Sequence, residues 1–326
     1  MSTSIDSTLP RSELLTMLRT MKLIRRFEER SAEHYGRGNI GGFLHLYIGE
    51  EAVAVGVISP LRDDDKIVTH YRDHGHALAR GMDTAACMAE LFGKSTGVSG
   101  GKGGSMHFFD VEKGFMGGHA IVGGQLPLAV GLAFANRYRG EDSLVVCFLG
   151  DGAVNEGEFH ESMNLASLWN LPVLFLLENN GFGMGTRVER ASAQPVIHRL
   201  ADRHNVRSHR EENGQDVFAV REAALDAIEY IRDGNGPYFL EVMTYRFRGH
   251  SMADPIEYRQ QHEVEPWLEL DPIKLLSDRL LANDLTTADE INAIDEDVEN
   301  EVNEAIQFAL ESPFPKPDEL YSDIYA

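Results

Sequence analysis

The stretch from residue 144 to residue 180 constrains the fold of this chain more than any other part of the sequence. It contains two apolar runs, 144–149 and 173–177, whose length and content of Val, Leu and Phe are typical of buried strands. Between them, apolar residues recur at helical spacing. A strand, a tight turn, a helix and a second strand in this order indicate a parallel α/β unit. The sequence therefore predicts an α/β fold in which helices flank a mostly parallel sheet.

Polar residues follow each of these two predicted strands. Gly-Asp-Gly at 150–152 follows the first, and Glu-Asn-Asn at 178–180 follows the second. Open α/β sheets bind ligands at the carboxyl ends of their strands. Asp151 and Asn180 offer the hard oxygen ligands that suit Mg²⁺ or Ca²⁺. The glycines let the backbone approach a bulky group, and the N terminus of the following helix favours phosphate, so we predict a Mg²⁺-diphosphate site.

The composition of the 326-residue chain limits the classes of binding partner and the cellular locations that we expect. A formal net charge of −22 argues against nucleic acid and against an anionic membrane as partners. No apolar run approaches the ~18 residues of a membrane-spanning helix, and the first 13 residues lack the apolar core of a signal peptide. Cys87 and Cys147 lack metal-binding spacing and are expected to be small core residues in a reducing compartment. We therefore expect a cytoplasmic protein.

One α/β domain over residues 1–326 is the expected organisation, because the chain is long enough for one large core. A helix predicted over 12–35 belongs to an N-terminal helical extension of about residues 1–40. About residues 266–326 form a C-terminal helical segment with an apolar stripe. From Ala282 onward this segment has 13 acidic residues and one lysine. We interpret this charge as the solvated outer face of a packed helix, the alternative being a docking surface for a basic partner.

Several motifs, taken together, carry a resemblance to a known family. Gly-Asp-Gly, followed after 26 residues by Asn-Asn, resembles the thiamine diphosphate fingerprint. Longer segments resemble, in the same order, the α subunits of the E1 components of thiamine diphosphate-dependent 2-oxoacid dehydrogenases: GGFLHLYIGEEAVAVG, YRDHGHALARG, GGKGGSMHFF, AIVGGQLPLAVGLA, ENNGFGMGTRVERA and YRFRGHSMADP. The resemblance extends from about residue 14 to the C terminus and implies the thiamine diphosphate-binding fold.

Within this family, the stretch GMGTRVER resembles the pyruvate dehydrogenase branch most. The resemblance implies oxidative decarboxylation of pyruvate and reductive acetylation of a lipoyl group. The α subunits of branched-chain 2-oxoacid and acetoin dehydrogenases are the alternatives within the family. Outside it, a Mg²⁺-dependent nucleotide phosphohydrolase would also use Asp and glycines, although no GxxxxGK[ST] motif is present. A non-catalytic α/β binding subunit is a further alternative.

The resemblance also implies which residues hold thiamine diphosphate and Mg²⁺. The cofactor-binding candidates are Tyr71, Arg72, Ala120, Val122, Asp151, Gly152, Ala153, Asn180, Phe182, Arg246 and His250. Among them, Asp151 and Asn180 would bind Mg²⁺ through their side chains and Phe182 through its carbonyl oxygen. Arg72 fits this role on chemical grounds, because its planar guanidinium matches phosphate oxygens.

Two histidines are the catalytic candidates. His45 would face the carboxylate of the 2-oxoacid. His250 would handle a proton near the mouth of the active site or, alternatively, only bind the diphosphate. His107 is either a catalytic residue or a structural loop histidine. The loops 181–213 and 246–265 are expected to be mobile without the cofactor and to order around it.

The resemblance further implies partner chains. Thiamine catalysis needs a carboxylate against N1′ of the aminopyrimidine, and no matching Glu motif follows a second α/β unit in this sequence. In the family that Glu belongs to a separate β subunit, so we expect an α₂β₂ assembly with cofactors at the α/β interfaces. The small-residue helix over 127–138 is the candidate for part of the subunit contact. The lipoyl group would belong to the E2 dihydrolipoyl acyltransferase.

Overall fold

A six-stranded sheet, in which all neighbouring strands are parallel, forms the centre of the fold. The computed structural model describes residues 9–322 of the chain. The strands are β1 Lys66–His70, β2 Phe115–His119, β3 Val145–Gly150, β4 Val173–Asn179, β5 Phe182–Gly183, β6 Thr186–Arg187, β7 Arg207–Glu211 and β8 Tyr238–Met243. The order in the sheet is β2-β1-β3-β4-β8-β7, and β5 and β6 form a separate antiparallel hairpin. The predicted α/β fold is confirmed.

Helices cover both faces of the sheet. The α-helices are α1 Arg11–Gly36, α2 Glu51–Ile58, α3 His74–Ala79, α4 Thr84–Leu91, α5 Gln125–Arg139, α6 Gly157–Leu168, α7 Val188–Ala191, α8 Val217–Tyr230, α9 Gln261–Leu268, α10 Pro272–Ala282 and α11 Ala288–Glu311. One core cluster joins the sheet to α1, α2, α4, α8 and α11. A second cluster joins its opposite face to α5 and α6. Short 3₁₀ helices span Gly104–Met106, Asp151–Asn155, Ile197–His204 and Pro317–Tyr321, and Ile231–Asn235 forms a π-helical turn.

Burial on both faces explains why β3 reads as an unbroken apolar run. Val146 and Phe148 belong to the core cluster on one face, whereas Val145, Cys147 and Leu149 belong to the cluster on the other. Strands of a parallel sheet that is covered on both faces have this continuous pattern. Cys147 is thus a core residue, and burial raises the pKa of its thiol well above the usual range.

The register of the sheet brings the ends of four strands to one edge. β3 and β4 pair in register as far as Gly150 and Glu178, and β4 pairs with β8 as far as Asn179 and Met243. β1 pairs with β3 on the other side. Because parallel strands end at the same edge, the residues that follow β1, β3, β4 and β8 lie close together.

Opposite charges line the contact between α1 and α11. The apolar stripe of α11 is buried, as predicted: Val298, Val302, Ala305, Ile306 and Ala309. The acidic side of α11 is largely exposed, as expected for the solvated outer face of a packed helix, and several of its residues also pair with basic residues of α1. The ion pairs are Arg11–Glu290, Arg19–Asp297, Arg19–Glu301, Lys22–Asp295 and Arg26–Glu299. These pairs add polar contacts to the packing of α1 on α11.

The remaining predicted elements agree with the structure in part. The helix expected over 12–35 is α1, and the two predicted loops contain β5, β6, α7, β7 and the start of α9. The predicted terminal extensions include residues 1–8 and 323–326, which lie outside the described residues. Within residues 9–322, no helix combines the length and the apolar character needed to cross a membrane.

Two helical glycines should respond to Ala in opposite directions. A Cβ on Gly75 would lie 2.2 Å from Cδ1 of the buried Tyr47 ring, whereas one on Gly131 meets no atom within 4 Å. We expect Gly75→Ala to destabilise the fold by about 1–3 kcal/mol through overpacking. Gly131→Ala should stabilise it by about 0.5–1 kcal/mol, because Ala loses less backbone entropy in a helix. Thermal unfolding midpoints test both; a Gly75→Ala midpoint at or above that of the wild type contradicts the packing argument.

Candidate functional site

A cavity of about 260 Å³ lies at the edge where the strands end. It is lined by ten of the twelve residues that the sequence predicts for the site: Tyr71, Arg72, Val122, Asp151, Gly152, Ala153, Asn180, Phe182, Arg246 and His250. Ala120 and His45 do not line it. The cavity therefore brings together residues of β1, β3 and β4 and of the segments after β5 and β8, as the strand register requires.

One corner of the cavity is rich in oxygen ligands. Asp151 begins the 3₁₀ helix after β3 and is only 5% exposed, and burial raises the pKa of its carboxyl to about 7. Asn180 follows β4, and its Oδ1 accepts a hydrogen bond from the backbone N–H of Phe182 at 3.3 Å. A Cβ on Gly152 would lie 3.7 Å from the Cα of Gly183, so the turn after β3 closely approaches the β5–β6 hairpin. A hard cation such as Mg²⁺ fits these ligands.

The α-helix predicted directly after the two glycines begins later than expected. The 3₁₀ helix Asp151–Asn155 comes first, and α6 starts at Gly157. Glu156 between them has an extended backbone, with φ −80° and ψ 148°, which separates the two helices. The backbone N–H groups beside the cavity therefore belong to the 3₁₀ turn that contains Gly152 and Ala153.

Another part of the cavity wall is cationic. Arg72 is buried and donates from Nη1 to the carbonyl oxygen of Leu46 and from Nη2 to that of His250, both at 2.9 Å. Burial, followed by the nearby Arg246, lowers the pKa of Arg72 to about 10. Nη2 of Arg246 and Nδ1 of His250 are buried and have no hydrogen-bond partner among residues 9–322. A diphosphate would satisfy such donors, so the residues present fit this group.

His45 lies beside the cavity, behind the aromatic rings of its wall. Its ring centroid is 4.8 Å from that of Tyr71 and 5.3 Å from that of His250. Burial, followed by the charge of Arg72, lowers the pKa of His45 to about 2, so its imidazole is neutral. His107 also lies off the cavity, and its Nδ1 is 2.9 Å from the carbonyl oxygen of Gly118, which is a structural contact.

Several further cavity residues were given no role by the sequence patterns: Glu50, His70, Gln125, Glu178 and Met184. Glu178 is buried and accepts hydrogen bonds from His70 at 2.6 Å, from His76 at 3.0 Å and from the hydroxyl of Tyr47. Burial alone would raise the pKa of Glu178, but the two histidines hold it below its usual range. Its position just before the asparagines is the signal that could have identified it.

The glycine-rich loop over residues 99–104 does not line the cavity. Its backbone instead surrounds the carboxylate of the buried Glu90 on α4. Four backbone N–H groups donate to this carboxylate at 2.8–2.9 Å: those of Ser99, Gly101, Gly103 and Gly104. The loop is therefore an anion-binding turn whose anion is a side chain of the same protein.

His250 should make the cofactor-free protein less stable in acid. Burial, followed by the charges of Arg72 and Arg246, lowers the pKa of His250 to about 3. In the unfolded chain the pKa of this histidine is about 6.5. As pH falls through about 6.5, the unfolded chain therefore binds a proton that the folded chain does not, and stability is lost down to about pH 3. Between pH 7.5 and pH 5, the melting temperature should fall more in the wild type than in His250→Gln.

Differential scanning fluorimetry without added diphosphate measures this difference. The matched control is His209→Gln, because His209 is an exposed histidine on the edge strand β7, and it should follow the wild type. An equal loss of melting temperature in His250→Gln and wild type would mean that His250 takes up its proton at an ordinary pH in the folded chain.

Comparison with known proteins identifies the family of this chain. A family model described as dehydrogenase E1 component matches residues 19–318. A pyruvate dehydrogenase E1 component subunit alpha from Rhizobium meliloti is 50% identical over 95% of this chain and 89% of its own length. Proteins of the same name are 46% identical in Zymomonas mobilis, over 96% of this chain and 89% of theirs, and 44% identical in Rickettsia bellii, over 97% and 96%. The chain therefore belongs to the dehydrogenase E1 component family.

Proposed function

We propose that this chain is the α subunit of a pyruvate dehydrogenase E1 component. It would catalyse the oxidative decarboxylation of pyruvate with thiamine diphosphate and the reductive acetylation of the lipoyl group of E2. One observation carries this proposal: a single cavity joins the oxygen ligands of Asp151 and Asn180 to a cationic wall. That combination suits a cation bound to a diphosphate. Relatives named for this activity are 44–50% identical over at least 95% of the chain.

Mg²⁺ would be held at the oxygen-rich corner. The side chains of Asp151 and Asn180 and the carbonyl oxygen of Phe182 are the proposed ligands. Asp151 supplies the negative charge, and its burial favours a cation beside it, because an isolated carboxylate is costly to bury. Asn180 and Phe182 supply neutral oxygens, and the diphosphate and water would complete the octahedral coordination that Mg²⁺ prefers.

The diphosphate would lie against the cationic wall. Arg72, Arg246, His250 and the hydroxyl of Tyr71 are its proposed side-chain partners, and the backbone of Gly152 and Ala153 would approach from the turn after β3. The thiazolium ring of the bound cofactor supplies a nucleophilic carbon and an electron sink for decarboxylation. The backbone of Val122 would border the aminopyrimidine. Ala120 lies off the cavity wall, so a contact between its backbone and the cofactor stays a prediction.

The two catalytic candidates would act as neutral imidazoles. Lowered pKa values, about 3 for His250 and about 2 for His45, keep both uncharged near neutral pH without the cofactor. Nδ1 of His250 has no hydrogen-bond partner in the described part of the chain and is the proposed site for holding or moving a proton. His45 would meet the carboxylate of pyruvate from behind the ring of Tyr71, which its own ring contacts.

A partner subunit would cover an apolar patch formed by α5 and the end of α6. The patch consists of Leu128, Phe134, Tyr138, Leu168 and Trp169, which are 42–85% exposed. The ring of Phe134 packs against those of Tyr138 and Trp169. Exposed apolar clusters of this kind mark interaction sites. We assign the patch to the E1 β subunit of an α₂β₂ assembly, which would also supply the carboxylate to the cofactor.

The remaining parts of the proposal rest on the sequence. The E2 lipoyl domain would approach the cavity mouth, where Met184 is 63% exposed. The single-domain organisation and the cytoplasmic location are expectations from composition and length. The branched-chain and acetoin alternatives are not favoured, because the relatives reported above carry the pyruvate dehydrogenase name. No contact in residues 9–322 specifically favours a nucleotide phosphohydrolase or a non-catalytic binding subunit.

Asp151→Ala should abolish activity without unfolding the protein. The assay is pyruvate-dependent reduction of an artificial electron acceptor by the chain together with its β subunit, Mg²⁺ and thiamine diphosphate. We expect a loss of about 100-fold or more, because a proposed metal ligand is removed. Asp142→Ala is the control, since Asp142 is an exposed residue paired with Arg62 on the surface. Activity of the chain without a β subunit would contradict the shared active site, and a preference for 2-oxoisovalerate or acetoin would contradict the pyruvate assignment.

Charges placed in the apolar patch should weaken subunit association. Tyr138→Glu and Trp169→Glu each put a carboxylate where the β subunit would exclude water, so the dissociation constant should rise by roughly tenfold or more. Leu281→Glu, at another exposed apolar position on α10, should leave it unchanged. Sedimentation velocity of the mixed subunits measures the effect. Unaltered association of both patch variants would place the β subunit elsewhere.

A further inference from the structure

Glu50 is a buried cavity residue with a specific hydrogen bond. It lies immediately before α2, is 1% exposed and lines the same cavity as the proposed metal ligands. Its Oε1 accepts a hydrogen bond from Nδ2 of Asn180 at 3.1 Å, across 130 residues of sequence. Its neighbour Glu51 faces elsewhere, because it pairs with Arg25 on α1. Of the two consecutive glutamates, only Glu50 contacts the cavity.

The hydrogen bond from Asn180 determines which end of its amide faces the cavity. An Asn side chain has an oxygen that accepts and an NH₂ group that donates, and rotation by half a turn exchanges them. A carboxylate oxygen of Glu50 accepts the NH₂ group, and the backbone N–H of Phe182 donates to Oδ1. Both contacts select the same orientation. Only the oxygen end of an amide can bind Mg²⁺.

Glu178, a further buried carboxylate of the cavity, has other partners. Its hydrogen bonds already go to His70, His76 and Tyr47. Glu50, in contrast, has Asn180 as its side-chain hydrogen-bond donor and faces the charges of Arg72 and Arg246.

An equivalent pair one residue earlier provides an internal comparison. Nδ2 of Asn179 donates to Oε1 of the buried Glu241 at 2.7 Å, and Oδ1 of Asn179 accepts from the backbone N–H of Gly181 at 3.0 Å. Each of the two consecutive asparagines therefore donates from Nδ2 to a buried carboxylate and accepts a backbone N–H at Oδ1. Neither Asn179 nor Glu241 lines the cavity, so this second pair stabilises the strand end without facing the proposed metal position.

We propose that Glu50 is a positioning residue of the metal site, which orients the amide of Asn180 so that Oδ1 faces the cation. This inference rests on the proposed function, because it requires a cation between Asp151 and Asn180. Removal of a residue that hydrogen-bonds to a metal ligand typically weakens metal binding by about 10–100-fold. Glu50 acts through the amide of Asn180 and not by contact with the metal or the substrate.

The test is the dissociation constant of Mg²⁺, measured by isothermal titration calorimetry on the α/β complex at saturating thiamine diphosphate. Glu50→Met keeps the chain length and removes the acceptor, so the dissociation constant should rise about 10–100-fold. Glu50→Gln keeps an acceptor oxygen and should bind within a few-fold of the wild type. Glu241→Met removes the equivalent partner of Asn179 and should leave Mg²⁺ affinity unchanged, even where it lowers the melting temperature.

Two results would overturn the inference. Wild-type affinity in Glu50→Met excludes a positioning role, and equally weak binding by Glu50→Gln and Glu50→Met assigns the effect to charge. Glu50→Asp, which retracts the carboxylate by one methylene, replaces Glu50→Met where that variant does not fold, and it should also bind Mg²⁺ more weakly. Asp151→Ala separates the two proposals. Unchanged Mg²⁺ binding in Asp151→Ala contradicts the proposed cofactor site itself. Loss of Mg²⁺ binding in Asp151→Ala, together with normal binding in Glu50→Met, contradicts only the positioning role of Glu50.

Discussion

The burial of a charged carboxylate, Glu178, organises the edge of the sheet where the cavity lies. A carboxylate removed from water is costly unless hydrogen-bond donors replace the water. His70 at the end of β1, His76 on α3 and Tyr47 before α2 all donate to it. Three separate segments are therefore held against Glu178 near the end of β4, and the two residues that follow Glu178 are the asparagines.

A second buried carboxylate extends this arrangement to the N-terminal helix. Glu28 on α1 accepts from the backbone N–H of Tyr47 and from Nδ1 of His74. Burial opposes protonation of His74, but Glu28, Asp73 and the carbonyl oxygen of Ser105 together outweigh burial and raise the pKa of this histidine. The other ring nitrogen of His74 is 3.0 Å from the carbonyl oxygen of Ser105. Helix α1 is thus part of the support of the site, although its sequence pattern indicates only an amphipathic extension.

Local sequence patterns were sufficient to predict β3 and β4 from their apolar runs, α5 from its small residues and the buried stripe of α11 from its helical spacing, because these patterns depend on burial of one element at a time. The family resemblance identified most of the residues that line the cavity. It did not indicate that His45 lies behind Tyr71, since this depends on how two loops pack. The ion pairs between α1 and α11 and the bond between Glu50 and Asn180 join residues 130 to 282 positions apart. Nothing in a local pattern reveals which distant charge becomes a partner.

The turn around Glu90 illustrates how a loop with the composition of a phosphate binder can be closed to phosphate. A free anion would have to displace a carboxylate tethered to α4, which competes from within the same molecule at a high effective concentration. The same carboxylate also stabilises the loop, because it accepts hydrogen bonds from four backbone N–H groups that would otherwise need water. Selectivity between anions at this turn is therefore a matter of occupancy, because its backbone donors are filled as soon as the chain folds.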